Sequence, residues 1–191
     1  MPTISDKNMK TFVTTLIALF MLVSCSSEPQ YADLEEYEKT QQLREQYGPL
    51  LVGTWHYEYL SDGHHFFEQV TFKDDGTFTG MRKWQTRKLV TIDGEQHYTD
   101  WESVELLEGP FTGTWSLRYY NPEGLGSSKR NCLLLNATYD ENSQYVAYPS
   151  VLNFDYADET TLRIQGCYYP DADGWTNYQR GEAEPSFGAD E

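Results

Sequence analysis

Cysteine and basic residues are both scarce in this sequence. The 191 residues include three cysteines, Cys25, Cys132 and Cys167, which excludes a disulfide-rich scaffold. Lysine and arginine total 14 against 30 aspartates and glutamates, and the formal net charge is −16. Because such an acidic surface repels phosphate backbones, we expect no binding to nucleic acid.

A segment long enough to span a membrane is also missing. The most apolar run covers residues 11–23 and carries no charge, but it falls short of the roughly 20 residues that a transmembrane helix needs. Lys10 precedes the run and polar residues follow it at once, as in a secretory signal. Leu22-Val23-Ser24-Cys25 at its end resembles the lipobox of bacterial lipoproteins.

The lipobox resemblance implies a lipid anchor. In that family the cysteine thiol receives a diacylglyceryl group and the chain is cut just before it, so Cys25 would hold the protein on a membrane. We therefore interpret residues 1–24 as a lipoprotein signal peptide and residues 25–49 as the lipidated cysteine, a tether and a short helix. The alternative is an ordinary signal peptide with an incidental cysteine. Ser26-Ser27-Glu28 resembles the acidic export tags of Bacteroidetes surface lipoproteins, which would place the protein in the cell envelope, at the outer membrane and exposed on its surface.

A helix is predicted over residues 31–47. Acidic residues crowd its start and Arg44 lies near its end, as the helix dipole favours, and Gly48-Pro49 ends it. Its apolar stripe is incomplete, so we expect the helix to lie on the domain surface. The stripe consists of Leu34, Tyr37, Leu43 and Tyr47.

From residue 50 onward the hydrophobic pattern alternates with a period of two, which is typical of strands. Eight strands are predicted, over residues 51–59, 66–72, 77–92, 96–107, 111–119, 131–139, 145–156 and 160–169. Sequential strands on short turns tend to close, because closure removes both unpaired edges. We therefore predict that residues 50–170 form an all-β domain, a single up-and-down antiparallel β-barrel, and that the acidic residues 171–191 are disordered.

The order of several short motifs resembles the lipocalin-like domains of Bacteroidetes lipoproteins. The motifs are Gly53-Thr54-Trp55, the hairpin Val70–Phe78, the strand Phe111–Leu117 and the hairpin Leu152–Ile164. The resemblance covers about residues 50–170 and implies a barrel that binds small apolar molecules. It also implies an arginine stacked on the first tryptophan, near the closed end of the barrel, and Arg163 is the candidate.

The candidate ligand-binding residues are Trp55, Glu68, Arg82, Trp84 and Trp115. Trp55 and Trp115 occupy matching points of two strands, and they either line a cavity or pack the barrel floor. Glu68 and Arg82 share strand faces with aromatic residues. If those faces point inward, the two charges must be paired inside an apolar pocket, which is typical of a ligand site. Otherwise both charges lie solvated at the rim.

No metal, cofactor or catalytic site is predicted. His56, His64 and His65 are close in sequence, but a zinc site needs further ligands. The Asp171-x-Asp173-Gly174 segment matches part of a calcium loop and is interpreted as a turn. Because the sequence contains no nucleophile or phosphate-binding motif, an enzymatic activity is the least favoured function.

Two cysteines remain after the anchor. Cys132 and Cys167 fall near the start of the sixth predicted strand and the end of the eighth. In a meander those strands run parallel with one strand between them, so the two thiols would lie at opposite ends of the barrel. A disulfide needs Cα atoms within roughly 7 Å, and two separate thiols are therefore predicted.

Two functions remain open from the sequence. The first is the binding of a small, partly apolar molecule inside the barrel of a membrane-anchored lipoprotein. The second is a structural or interaction role, with the barrel filled by its own side chains and an outer face that docks a protein or glycan. Trp84, Tyr98 and Trp101 lie on the third and fourth predicted strands. Exposed aromatic residues there favour docking, and inward-facing ones favour a cavity.

Overall fold

The computed structural model describes residues 30–104, 108–122, 128–139, 150–165 and 170–187. The predicted signal peptide, Cys25 and Cys167 lie outside these residues. The chain divides into two units, Met1–Ala32 and Asp33–Glu191, and the second contains every element named below. No helix within the described ranges has the length and apolar character needed to cross a membrane.

One helix and eleven strands are defined in the described residues. The helix α1 covers Leu34–Leu51. The strands are β1 Gly53–Leu60, β2 His64–Phe72, β3 Thr77–Thr86, β4 Leu89–Ile92, β5 Glu95–Tyr98, β6 Glu102–Ser103, β7 Gly109–Tyr120, β8 Arg130–Tyr139, β9 Ser150–Ala157, β10 Thr161–Gln165 and β11 Thr176–Arg180.

Eight of these strands close into an antiparallel barrel. The order around the barrel is β1, β2, β3, β7, β8, β9, β10 and β11, and β11 pairs again with β1. This confirms the predicted fold class, an all-β antiparallel barrel of eight strands with a short N-terminal helix. Alternate side chains point into the barrel, where aromatic rings supply much of the core.

The sequence prediction is wrong about the bounds of the third and fourth strands, which it placed at residues 77–92 and 96–107. β3 leaves the barrel after Thr86, and β4 and β5 form a separate hairpin around Asp93-Gly94. β3 then pairs directly with β7. Because β5 is exposed throughout and β4 at all but one position, this hairpin has no buried face that would hold it in the barrel wall.

The predicted disordered tail, residues 171–191, contains the eighth barrel strand. β11 pairs with β10 on one side and with β1 on the other. Its Thr176 and Tyr178 side chains point into the barrel and are almost fully buried. The acidic composition of the whole tail concealed a strand of only 5 residues, because composition averages over a longer window. The barrel therefore extends past the predicted boundary at residue 170.

The helix α1 continues through Gly48-Pro49, where the sequence predicted its end, and stops at Leu51. A proline in the last turn removes a single intrahelical hydrogen bond. The terminal carbonyl groups find other donors: Val52 N donates to Gly48 O at 3.4 Å, and the Arg180 guanidinium donates to Leu50 O at 2.8 Å. Leu51 is fully buried in the core, and this packing outweighs the local stop signal.

One face of α1 is buried against the barrel, and it differs from the predicted apolar stripe. Leu34 and Tyr37 are exposed, whereas Glu36 and Thr40 are buried together with Leu43. The helix lies on the surface of the domain as expected, but the predicted stripe is wrong about which side is buried. Two polar residues occupy its inner face because the strand beneath them offers hydrogen bonds.

That strand is β7, which continues beyond its neighbour β3. The pairing with β3 stops at Thr114, so the later backbone groups of β7 on this side lack a strand partner. Thr40 Oγ1 accepts a hydrogen bond from Tyr119 N at 3.1 Å, and Arg44 Nε donates to Leu117 O at 3.0 Å. The helix α1 thus takes the place of a neighbouring strand at this edge.

The register across β8, β9 and β10 overturns the reasoning applied to the cysteines. Cys132 pairs with Asn153, and Asn153 pairs with Gln165, so Cys132 lies level with the end of β10 rather than at the opposite end of the barrel. Two strand spacings, roughly 9–10 Å, still separate these positions, which exceeds the span of a disulfide. Cys132 is buried and its Sγ lies 3.6 Å from Arg130 O. Separate thiols stay a prediction, because Cys167 lies outside the described residues.

Candidate ligand-binding site

The barrel interior brings two of the predicted site residues together. Tyr57 pairs with Glu68 across β1 and β2, and Glu68 pairs with Arg82 across β2 and β3. Directly paired residues point to the same side of a sheet. Because Tyr57 on that side is only 8% exposed and belongs to the core, Glu68 and Arg82 also point into the barrel.

Glu68, Arg82 and Tyr178 form a polar cluster in this interior. Arg82 Nε donates to Glu68 Oε2 at 2.7 Å, and Arg82 Nη2 donates to the same oxygen. Tyr178 Oη donates to Glu68 Oε1 at 2.6 Å. The side chains of Arg82 and Glu68 are 12% and 13% exposed, so the two charges are paired inside the barrel rather than solvated at its rim.

Aromatic rings surround the arginine of this cluster. Arg82 Cζ lies 5.3 Å from the Phe111 ring centroid and 5.9 Å from that of Phe66. The predicted site residue Trp84 packs edge-on against Phe66, with ring centroids 6.0 Å apart. A Cβ on Gly80 would lie 2.3 Å from Phe111 Cζ, so the absence of a side chain at Gly80 makes room for the Phe111 ring. The rings hold the guanidinium in place through cation–π contacts.

A glycine on β7 lies beside the ion pair. Gly109 pairs with Arg82 across β3 and β7, and its φ is +116°. Apart from its two chain neighbours, no atom of the described residues lies within 4 Å of the point where a Cβ of Gly109 would be. A small polar cluster within an aromatic wall has the character of a small-molecule site.

Trp55 lies nearer the end of the barrel that α1 covers. Its side chain is fully buried, and its Nε1 donates to Leu51 O at 2.8 Å. The Arg180 Cζ lies 4.9 Å from the ring centroid of Trp55, while the same guanidinium donates to Leu50 O and Val52 O, each at 2.8 Å. Trp55 therefore packs the barrel floor and ties α1 to the strands.

Trp115 packs the hairpin between β2 and β3. Its Nε1 donates to Lys73 O at 3.0 Å, and its ring meets Phe72 edge-on at a centroid distance of 5.5 Å. Of the two interpretations offered by the sequence, the packed floor fits both tryptophans better than a cavity wall.

The arginine stacked on the first tryptophan is Arg180, and the candidate Arg163 is wrong for that role. Arg163 donates to Asp155 at 3.0 Å and to Asp173 at 2.7 Å. The hydrogen bond from Arg163 lowers the pKa of Asp173. Gly174 N donates to Asp171 O at 2.8 Å, which confirms that the segment resembling a calcium loop is a turn.

The histidines of the first hairpin have separate partners. His56 Nδ1 lies 2.9 Å from Gly181 O, and His65 Nε2 lies 2.7 Å from Glu58 Oε1, whereas the His64 side chain is exposed. Within the part of the chain that the structure describes, no group of three or more histidine, cysteine, aspartate or glutamate side chains is arranged to hold a metal ion.

The segment after β11 lies on the outer face of β1 and β2. Ser186 N and Oγ donate to Glu58 Oε1 at 2.9 and 2.8 Å, and the Phe187 ring stacks on His65 with centroids 3.9 Å apart. Burial raises the pKa of Glu58, but hydrogen bonds from Ser186 and His65 outweigh it, so the pKa lies below its usual value.

This serine, histidine and glutamate do not form a catalytic relay. In a relay the serine and the carboxylate contact opposite nitrogens of the imidazole ring. In this cluster Ser186 Oγ lies 3.3 Å from His65 Nε2, the same nitrogen that contacts Glu58. The arrangement therefore fastens the C-terminal segment to the barrel and does not activate the serine.

The aromatic residues of the third and fourth predicted strands lie on both sides of the barrel wall. Trp84 packs on the core, whereas Tyr98 is 42% exposed and Trp101 is partly buried. Arg87 Cζ lies 4.4 Å from the ring centroids of both Tyr98 and Trp101. These two rings thus hold the β4–β5 segment on the outside through Arg87.

The sequence interpretation missed Tyr178 and Arg180, one at the candidate site and the other at the barrel floor. The sequence carried little signal for this strand, because Tyr178 is the one apolar residue within Thr176–Arg180. Comparisons of the chain with protein-family models, with curated proteins and with solved structures gave no match.

Proposed function

We propose that this protein is a membrane-anchored envelope lipoprotein whose barrel binds a small, partly apolar ligand. The observation that carries the proposal is the Glu68–Arg82–Tyr178 cluster inside an aromatic barrel. Replacing a buried ion pair by apolar residues of similar size is often neutral or stabilising. The presence of such a pair in the barrel interior therefore favours a role in recognition.

Native mass spectrometry of the full-length protein, purified from its own host membrane, tests the ligand. We expect a stoichiometric adduct that extracts into organic solvent. The matched control is the double variant Glu68→Leu/Arg82→Met, which removes both charges at similar volume and should fold without the adduct. An adduct-free mass for the wild-type protein would contradict the proposal.

The anchor is proposed from the lipobox resemblance at Cys25. Metabolic labelling with a clickable fatty acid should tag the wild-type protein and leave the Cys25→Ala variant untagged. The Cys132→Ser variant is the control and should remain tagged, because Cys132 is buried in the barrel. Equal tagging of all three proteins would refute anchoring through Cys25.

A docking role is the second candidate, favoured by the β4–β5 hairpin. Leu89, Ile92 and Tyr98 on this hairpin are 50%, 56% and 42% exposed. If this surface binds a protein or glycan, the Leu89→Lys/Ile92→Lys variant should lose cross-links to that partner in intact cells while its thermal unfolding stays unchanged. Unaltered cross-links would eliminate the hairpin as the docking surface.

A further inference from the structure

We infer that the C-terminal segment, residues 182–187, is a strap that fixes the β4–β5 hairpin against the barrel and limits the motion of its exposed surface. The inference concerns the regulation of that surface, and for this consequence it rests on the docking role named as the second candidate function. Its basis is a second apolar cluster outside the barrel, to which both the strap and the segment after β5 contribute.

This outer cluster lies on the face of β2 that points away from the barrel core. Glu68 points into the barrel, so Phe67 and His65, which alternate with it along β2, point outward. Both are nevertheless buried, with 3% and 5% of their surface exposed, and Phe67 is not part of the barrel core. Outward-facing side chains are buried in this way where another segment of the chain covers them.

The strap covers the outer cluster from one side. Its Phe187 ring stacks on His65 with centroids 3.9 Å apart and 23° between the ring planes. Ala183 N donates to Gln69 Oε1 at 2.9 Å, and Ser186 donates twice to one carboxylate oxygen on β1. Because residues 182–187 belong to no helix or strand, contacts with these outward-facing side chains hold the strap in place.

The segment that follows the β4–β5 hairpin contacts the same histidine. The Trp101 ring packs edge-on against His65, with centroids 6.0 Å apart. The Arg87 guanidinium carbon lies 4.4 Å from the ring centroids of both Trp101 and Tyr98. A continuous series of ring and guanidinium contacts therefore runs from the strap to the hairpin, through Phe187, His65, Trp101, Arg87 and Tyr98.

The hairpin has little buried surface of its own. β5 is exposed throughout and β4 at all but one position, and the apolar side chains of Leu89 and Ile92 are more than half or half exposed. Segments with few buried contacts open at a low free-energy cost, so the contacts through Trp101 limit how often the hairpin leaves the barrel. Loss of Phe187 removes one of the two rings that pack on His65, and Trp101 is then held less firmly.

The base of the hairpin is fixed independently of the strap. Arg87 N donates to Gly63 O at 3.0 Å, and Arg87 Nε donates to Asp62 O at 2.7 Å. Release of the strap therefore leaves the barrel and the base of the hairpin in place and increases the motion of residues 89–101.

Hydrogen–deuterium exchange of the full-length protein tests the strap. In Phe187→Ala we expect the amide exchange of residues 89–101 to rise at least about threefold, while residues 111–117 of β7 exchange as in the wild-type protein. Phe187→Tyr is the matched control, because it keeps a ring that can stack on His65, and it should exchange as the wild-type protein does. Unchanged exchange of residues 89–101 in Phe187→Ala, or an equal rise in β7, would overturn the inference.

A double variant tests the path of the coupling. Trp101→Ala removes the ring that joins the strap to the hairpin, so Phe187→Ala added to it should raise the exchange of residues 89–101 no further. A further rise of about threefold in the double variant would contradict a path through Trp101.

The docking role is judged by a separate measurement, the cross-links of the Leu89→Lys/Ile92→Lys variant. If Phe187→Ala raises the exchange of the hairpin and these cross-links are unaltered, the strap is supported and docking by the hairpin is eliminated. If the cross-links are lost and the exchange does not change, docking is supported and the strap is refuted.

Discussion

Removing β11 is the most demanding test of this structure, because the composition of residues 171–191 predicts disorder. We compare the full chain with one that ends at Pro170 and one that ends at Gly181. The first truncation deletes β11, whereas the second retains it and deletes only the segment on the outer face. If β11 closes the barrel, the two truncations must differ sharply.

The magnitude follows from what β11 contributes. Tyr178 is 2% exposed, and loss of a buried aromatic side chain costs about 3–5 kcal/mol. Arg180 stacked on Trp55 adds about 0.5–2 kcal/mol. β11 also pairs along β10 and at two positions of β1. Each hydrogen bond in these pairings contributes about 1 kcal/mol to the free energy of unfolding. The sum is comparable to the whole stability of a domain, about 5–15 kcal/mol.

We therefore expect the chain ending at Pro170 to be unfolded, with no near-ultraviolet circular dichroism signal and no cooperative urea transition. The chain ending at Gly181 should fold and lose about 1–3 kcal/mol, because it lacks the hydrogen bonds from Ser186 to Glu58. A cooperative transition of the Pro170 chain with the midpoint and slope of the full chain would refute the closure of the barrel by β11.

Three further variants test other parts of the structure. Arg180→Gln should lower the free energy of unfolding by about 2 kcal/mol in urea titrations, whereas Arg163→Gln, whose partners are exposed aspartates, should change it by less than about 1 kcal/mol; equal losses would contradict the stacking role. Gly80→Ala should cost about 1–3 kcal/mol through the clash with Phe111, and Phe111→Leu should relieve most of this cost in a double-mutant cycle. The pKa of Glu58 is lower in the folded state than its unfolded-state value near 4.5, so ionised Glu58 stabilises the fold above that pH. This contribution to stability is lost as the pH falls through the folded-state pKa. Glu58→Gln should therefore lose less stability than wild type between pH 7 and pH 3, and parallel curves would argue against this coupling.

The strand count was predictable and the identity of one strand was not. Alternating apolar residues and Asp-Gly turns indicated an eight-stranded barrel, and the structure has one. The described part of the predicted fourth strand, residues 96–104, contains most of β5 and the short β6, which pairs with the end of β3. Neither is one of the eight barrel strands, and β11 is the eighth. Hairpin signals such as Asp93-Gly94 act locally, and they do not reveal whether both strands of a hairpin join the main sheet. That depends on a buried face, which β4 and β5 lack.

The inner face of α1 shows a second limit of predicting structure from the hydrophobic pattern of a sequence. An apolar stripe predicts the buried side of a helix only where the opposing surface is apolar. The opposing surface here is the exposed backbone edge of β7, which needs hydrogen-bonding partners. Thr40 and Arg44 supply them, so the buried face includes polar residues and the apolar Leu34 is left in solvent.

The Glu68–Arg82 pair, by contrast, can be derived from one turn. The tight turn after Phe72 pairs that residue with Phe78, and each step outward along both strands keeps the register. Four steps outward place Glu68 opposite Arg82. Whether this face points inward depends on closure by β11, because Tyr178 comes from the other end of the chain and donates to the second oxygen of Glu68. The local register therefore predicts the pair, and only the closed barrel completes the Glu68–Arg82–Tyr178 cluster.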